Sequence, residues 1–341
     1  MNPEFNNSGL ESYAYTYGMI SGMHSKFLDS KDFEVLALAV SVEEVIASLE
    51  KTDYSHELSR ITEELSDLEL ENALNKNFIR VYNSIADSLP EEDREMLGNV
   101  VFGESDLANL KTILRGVRNS LGSMEVRMML QPGSMDAELI ERLLSSETVE
   151  EFTSRIPYLG DEYEKALGDA VDEYKKSGSV LGIEIALDKL MVKSWTSNKI
   201  LSDYVKMRID SINILNLFRC RSADIPYNRH IIPDGMHLSE KFLRSLDLLS
   251  VSESLSSLEN TPYGRALSKF NPAEIDLLKM ERALDEFMTE DVSSRAMLNP
   301  LTIWPVLAFI QLKKKEVKDL RVVILLKAHN YPSEKIRRML S

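Results

Sequence analysis

An all-α fold is predicted for this chain by three observations. Glycine and proline, which punctuate turns and break helices, number only 14 and 11 in 341 residues. Apolar residues recur at helical spacing in nearly every segment, and no segment alternates convincingly as a strand would. The same helical pattern is also written three times, at an interval of a little over a hundred residues.

The first marker of that repeat is Ser41-Val-Glu-Glu-Val-Ile-Ala-Ser-Leu-Glu-Lys-Thr-Asp-Tyr54. It returns as Ser250-Val-Ser-Glu-Ser-Leu-Ser-Ser-Leu-Glu-Asn-Thr-Pro-Tyr263, with eight of fourteen positions identical, and Thr148-Val-Glu-Glu-Phe opens a looser copy between them. A second marker, Glu-x-Ala-Leu, begins at Glu71, Glu164 and Glu281. A third, Asp106-x-x-Asn-Leu with Arg115, recurs as Asp210-x-x-Asn-Ile with Arg219 and fades to Glu316-x-x-Asp-Leu. Three markers in one order with matched gaps predict an internal triplication, with units at 1–115, 116–224 and 225–341.

Each copy begins its first marker helix in the same way. Ser41 with Glu44, Thr148 with Glu151 and Ser250 with Glu253 have capping-box spacing, in which the hydroxyl accepts from an orphan backbone N–H and the Glu carboxylate answers in return. Ala37, Val40, Val45 and Leu49 lie at helical spacing around the first box, and Thr-x-Tyr closes each outer copy at the end of that helix. The third marker places Leu107, Leu110, Ile113 and Leu114 on one stripe, with Asn109 and Arg115 near its edge. Ile214, Leu217 and Phe218 form the matching stripe beside Asn213 and Arg219. The loops Gln131-Pro-Gly-Ser and Ile232-Pro-Asp-Gly follow in register, each leading into an amphipathic run, Leu139 to Leu144 and Phe242 to Leu249. The middle copy carries extra residues around Ser177-Gly-Ser-Val-Leu-Gly. No low-complexity linker separates the copies, which predicts that they pack as one body.

Charge and composition exclude several functions. A net charge of −15 argues against a nucleic-acid binder, which must neutralise phosphates with clustered cations. A single cysteine, Cys220, precludes an internal disulfide and fits a reducing compartment. The opening residues Asn-Pro-Glu-Phe-Asn-Asn carry no leader pattern, and the longest apolar run, Leu301 to Leu312, is too short to span a bilayer. Both features predict a soluble cytoplasmic chain with no transmembrane segment of its own. Residues 311–341 hold nine basic and three acidic side chains. This tail reads either as a solvated helix face or as a docking surface for an acidic partner.

A search for chemistry finds little. His230 and His237 flank Asp234, but no further ligand completes a metal site. Cys220 sits between two arginines without a histidine partner. Neither glycine-rich phosphate-loop pattern is present. The sequence therefore predicts no catalytic residue, no cofactor and no metal. The repeated Asp/Glu-x-x-Asn/Asp and arginine groups read either as a network bonding neighbouring helices or as the lining of a surface where three copies meet.

Tyr13-Ala-Tyr-Thr-Tyr-Gly-Met-Ile-Ser-Gly-Met, the two Asp-x-x-Asn helices, and Asn299-Pro-Leu-Thr-Ile-Trp-Pro followed by Glu316-Val-Lys-Asp-Leu-Arg together resemble the C subunits of the archaeal and bacterial A/V-type ATPases, whose eukaryotic relative is the vacuolar d subunit. The resemblance covers essentially the whole chain. It implies a pseudo-threefold funnel of three helical units acting as a non-catalytic central-stalk coupler. Such a coupler joins the membrane proteolipid ring to the D and F subunits of the central shaft and lies peripheral to the cell membrane through the rotor. Two features depart from the family pattern. Met19-Ile-Ser-Gly-Met stands where an arginine often follows the aromatic cluster, and the third copy has no counterpart of Arg115. A soluble α-helical enzyme with an unread site and an unrelated repeat adaptor are the alternatives, although a period near 105 residues does not suit short-repeat solenoids. Arg115, Arg219, Asn109, Asn213 and Arg321 are the candidate partner contacts. Reversing the charge of Arg115 and Arg219 is expected to spare the fold.

Overall fold

The computed structural model describes residues 7–59, 66–157, 161–195 and 200–340; the expectation about a leader falls on residues 1–6, which lie outside these. In chain order the helices are α1 (Asn7–Met23), α2 (Ser30–Leu38), α3 (Val42–Leu49), α4 (Ser55–Leu58), α5 (Asp67–Ala86), α6 (Glu91–Asn119), α7 (Ser123–Met129), α8 (Ala137–Leu144), α9 (Val149–Arg155), α10 (Asp161–Ser177), α11 (Leu181–Trp195), α12 (Ser202–Ser222), α13 (Glu240–Leu246), α14 (Val251–Glu259), α15 (Gly264–Leu267), α16 (Leu277–Leu298), α17 (Trp304–Ala328) and α18 (Ser333–Leu340). Single 3-10 turns cover His24–Lys26 and Tyr227–Arg229, and no strand occurs among the described residues. The all-α expectation holds.

Of the three expected capping boxes only the last forms in full. Ser250 and Glu253 make the complete reciprocal box at α14. Thr148 accepts from the Glu151 N–H, and Glu151 answers one residue earlier, at the N–H of Glu147. Ser41 occupies the N-cap of α3 but its hydroxyl caps no backbone group; Glu44 alone reaches back, to the N–H of Val40. Two further complete boxes, Asp29 with Asp32 and Ser66 with Glu69, start α2 and α5. Val40, placed on a helix by spacing, instead lies in the turn between α2 and α3 and is 90% exposed. The run from Phe242 likewise stops at Leu246, leaving Leu248 outside α13 and exposed.

The chain divides into two compact units, residues 1–156 with 299–341 and residues 157–298. This grouping differs from the three-copy division because packing does not stop at copy boundaries. In the first unit, α17 packs against α1, α2, α3, α5 and α7, so this long helix from the end of the chain is the centre of the unit. The sequence of α17 explains its position. Val306, Leu307, Phe309, Ile310 and Val317 are buried, and every residue from Leu320 to Lys327 is buried, so the second half of the helix is enclosed on all faces while Leu312, Lys315 and Lys318 stay exposed. Pro305 is tolerated because it falls in the first turn, where no intrahelical N–H bond is lost. Asn330, at φ 58°, takes the left-handed position just beyond the helix end.

In the second unit, α12 packs against α11 and α16. Its core gathers Ile214, Leu217 and Phe218 from α12 with Leu246, Leu258, Tyr263 and Leu284. The predicted stripes are therefore the buried faces, and Leu107, Leu110, Ile113 and Leu114 are equally buried in α6. Ser177-Gly-Ser-Val-Leu-Gly spans the turn between α10 and α11, where Gly178 adopts φ 69°.

Candidate functional site

The repeated polar residues form internal clamps on the loops that follow their helices. On α6, the Asp106 carboxylate accepts from the N–H groups of Ser134, at 2.9 Å, and Met135, at 3.3 Å, and from the Ser134 hydroxyl. One turn further on, Asn109 donates to the Gln131 carbonyl at 2.9 Å and accepts from the Gln131 N–H at 2.7 Å. On α12 the arrangement recurs. Asp210 accepts from the N–H groups of His237 (2.7 Å) and Leu238 (3.3 Å), while Asn213 donates to the Ile232 carbonyl (2.7 Å) and accepts from its N–H (2.8 Å). Burial pushes both aspartates above the usual carboxylate range, against the pull of the bonds they accept.

These clamps explain the loop glycines. A Cβ at Gly133 would stand 2.3 Å from Oδ1 of Asp106, and one at Gly235 would stand 1.9 Å from Oδ1 of Asp210. The loop backbone approaches the carboxylate too closely for any side chain. Gly235→Ala is therefore expected to destabilise the chain by about 1–3 kcal/mol through forced displacement of a packed group. Gly18→Ala, in open space on α1, is expected to stabilise it by about 0.5–1 kcal/mol through helix propensity. Chemical denaturation of both variants checks the pair, and equal effects would contradict the close-approach account.

The tyrosines that close the outer first markers belong to the same clusters, a role not readable from sequence. Tyr263 and Tyr54 are 0% and 1% exposed. Tyr263 donates to Asp210 at 3.0 Å, and Tyr54 donates to Glu316 at 2.7 Å. Glu316 also accepts from the Leu28 N–H at 2.7 Å and pairs with Lys313 at 2.7 Å. The identity of Tyr54 and Tyr263 between copies is the available signal; what it does not reveal is that each serves the acid of another copy's long helix, Tyr263 that of the middle copy and Tyr54 that of the last.

Four of the five candidate contact residues lie inside their own units. Asn213, Asn109, Arg321 and Arg219 are 0%, 1%, 3% and 8% exposed. Arg219 pairs with Glu281 at 2.9 Å and with Glu184 at 3.7 Å. Arg321 donates to the Leu130 carbonyl. Arg115 is half-buried in α6. The expectation that Arg219 tolerates charge reversal is overturned by this burial. Of the second markers, Glu281 thus meets Arg219, Glu71 meets Arg127, and Glu164 is exposed.

The basic tail is likewise only partly a surface. Lys313, Arg321 and Lys327 are buried, with Lys327 donating to the Ala39 carbonyl at 2.6 Å. Lys315, Lys318, Lys335, Arg337 and Arg338 stay exposed.

Among the described residues, no group of three or more His, Cys, Asp or Glu side chains is placed to hold a metal ion. His237 packs edge-on against Tyr263. Cys220 is fully buried, and burial pushes its thiol up to about 12, away from thiolate chemistry. No helix among the described residues is long and apolar enough to cross a membrane.

Comparison with known proteins gives one consistent result. The family model described as ATP synthase (C/AC39) subunit matches residues 16–339. Among curated proteins, the C subunit of the A-type ATP synthase of Methanocaldococcus jannaschii is 28% identical over 97% of this chain and 86% of its own length. The proteins of the same name from Methanobrevibacter smithii and Methanococcoides burtonii are 28% and 27% identical, covering 81% and 96% of this chain and 76% and 94% of their own lengths.

Proposed function

This chain belongs to the ATP synthase (C/AC39) subunit family, and from that premise we infer that it is a central-stalk subunit of a rotary A-type ATPase. The observation that carries this reading is the extent of the match, which runs through nearly every helix from α1 to α18. We propose further that the chain performs no catalysis itself. It joins the membrane proteolipid ring to the D and F subunits of the central shaft, lies at the cytoplasmic face of the membrane through them, and couples rotation to ATP synthesis or hydrolysis. The sets of internal bonds at Asp106 with Asn109 and at Asp210 with Asn213 support reading segments 1–115, 116–224 and 225–341 as copies of one helical unit about a pseudo-threefold axis.

Arg115 is the best of the five candidate contacts for a partner, since it is half-buried where the other four are buried. Asn109, Asn213, Arg219 and Arg321 serve a partner only indirectly, by holding the helices and loops that present such a surface.

The test is an ATPase complex assembled without this chain. The catalytic head is expected to hydrolyse ATP at its usual rate while ion transport is lost, and adding the chain back restores coupling. Arg115→Glu is expected to restore coupling less well while leaving the chain helical by circular dichroism. Full coupling without the chain, or ATP hydrolysis by the purified chain alone, would contradict the reading.

A further inference from the structure

In the first unit, a cleft of about 680 Å³ opens between the segment from His24 through α2 and helices α17 and α18. Phe27 and Phe33 line it together with Lys315, Asp319, Glu34 and Arg337. Its position in the repeat shows what is missing from it.

The residue just before each following helix's N-cap fixes the register of the three long helices. Met135 precedes Asp136, Leu238 precedes Ser239, and Leu28 precedes Asp29; each gives its N–H to the acid of its long helix, Asp106, Asp210 and Glu316 respectively. Three residues after that acid, the first two copies have Asn109 and Asn213. Each grips one non-helical backbone residue by both its N–H and its C=O, at Gln131 and Ile232, four and six positions before Met135 and Leu238. Counting back four to six from Leu28 reaches residues 22–24, where the backbone is committed to the end of α1 and to the 3-10 turn His24–Lys26. The third copy therefore has no free backbone residue to place there, and an amide would have nothing to grip. The chain carries Asp319 instead, and the cleft lies beside it.

Asp319 is half-buried, and no hydrogen bond reaches its carboxylate among the described residues. Burial holds its carboxyl above the usual range despite Lys315 and Lys318 nearby. A carboxylate only accepts hydrogen bonds, so a group that satisfies it must bring donors. With Glu316 already paired to Lys313, the acidic side chains left lining the cleft are Asp29, Glu34 and Asp319, against Lys315 and Arg337. The phenylalanines offer an apolar wall for the methylene stem of a long cation.

We propose that this cleft receives an extended segment of a neighbouring subunit that carries a lysine or arginine, and that its N–H donors and its cation go to Asp319. The segment completes in trans the contact that Gln131 and Ile232 make in cis in the other two copies. The inference rests on the stalk reading for the existence of a neighbouring subunit.

The test places the photocrosslinker p-benzoylphenylalanine at Leu312, a 43%-exposed residue lining the cleft, in the assembled and purified complex. Mass spectrometry of the crosslinked peptides is expected to return a segment of another subunit bearing Lys or Arg. Its yield should fall about tenfold with Asp319→Lys, as for a repelled cation, and remain with Asp319→Glu. Asp319→Asn, which preserves shape, should lower it about threefold and decides the matter if the lysine variant unfolds. A crosslink confined to this chain, residues 1–6 included, or a yield unchanged in the asparagine variant overturns the proposal. Co-purification of the chain with ring and shaft subunits reports separately on the stalk reading.

Discussion

Arg219→Glu is expected to destabilise the chain by about 3–5 kcal/mol or more, because it replaces the cation of a buried ion-pair set with an anion. The guanidinium is 8% exposed and stands 2.9 Å from Glu281 and 3.7 Å from Glu184, which is itself 4% exposed. Reversal gathers three carboxylates where the fold has two around a cation, and none of the enclosing helices α11, α12 and α16 can open to water without exposing core. Arg265→Glu is the control. Arg265 is 84% exposed and meets Glu290 at 3.3 Å, so its reversal should move stability by no more than about 0.5 kcal/mol. Urea denaturation of the two variants beside the natural chain reads the difference. A wild-type midpoint for Arg219→Glu would mean that the pair is solvated and Arg219 available to a partner.

The fold class is legible in the sequence because it depends on local pattern. Scarce glycine and proline, cap spacings and apolar stripes are properties of short stretches, and Leu107, Leu110, Ile113, Leu114, Ile214 and Leu217 are buried as their spacing implies. What stays hidden depends on distant partners. Arg219 looks like any surface arginine at a stripe edge until Glu281 arrives from 62 residues away. The basic tail counts as a charged surface only until Glu316 and Ala39 claim Lys313 and Lys327. Val40 shows the opposite error: an apolar residue with helical spacing falls one position before an N-cap and ends in water. The repetition of Asp106 and Asp210 is plain in the sequence and their clamping is not, although the in-register Gly133 and Gly235 mark the backbone each one holds.

Glu316→Leu is expected to cost about 3–5 kcal/mol, and the cost should shrink when a second charge is removed with it. The carboxylate accepts from Leu28 N–H and Tyr54 O–H and pairs with Lys313, tying α17 to two segments near the start of the chain. Lys313 is 4% exposed and lies over the Tyr54 ring at 4.3 Å. Leucine at 316 strands that ammonium, whose pKa burial already holds below its usual 10.5. With the anion gone it falls further, so the folded chain binds fewer protons than the unfolded one between the two pKa values. Stability of the single variant should therefore rise with pH towards 10.5, and its deficit should be greatest at neutral pH. Lys313→Met with Glu316→Leu removes the stranded cation and leaves two orphan donors, the Leu28 N–H and the Tyr54 O–H, at about 1–3 kcal/mol each. The double variant should then be more stable than Glu316→Leu alone, because the second substitution relieves the first. A thermodynamic cycle over the four proteins measures this coupling directly. Additive losses, or a single variant whose stability ignores pH between 7 and 10.5, would show that Lys313 does not depend on Glu316 for its charge.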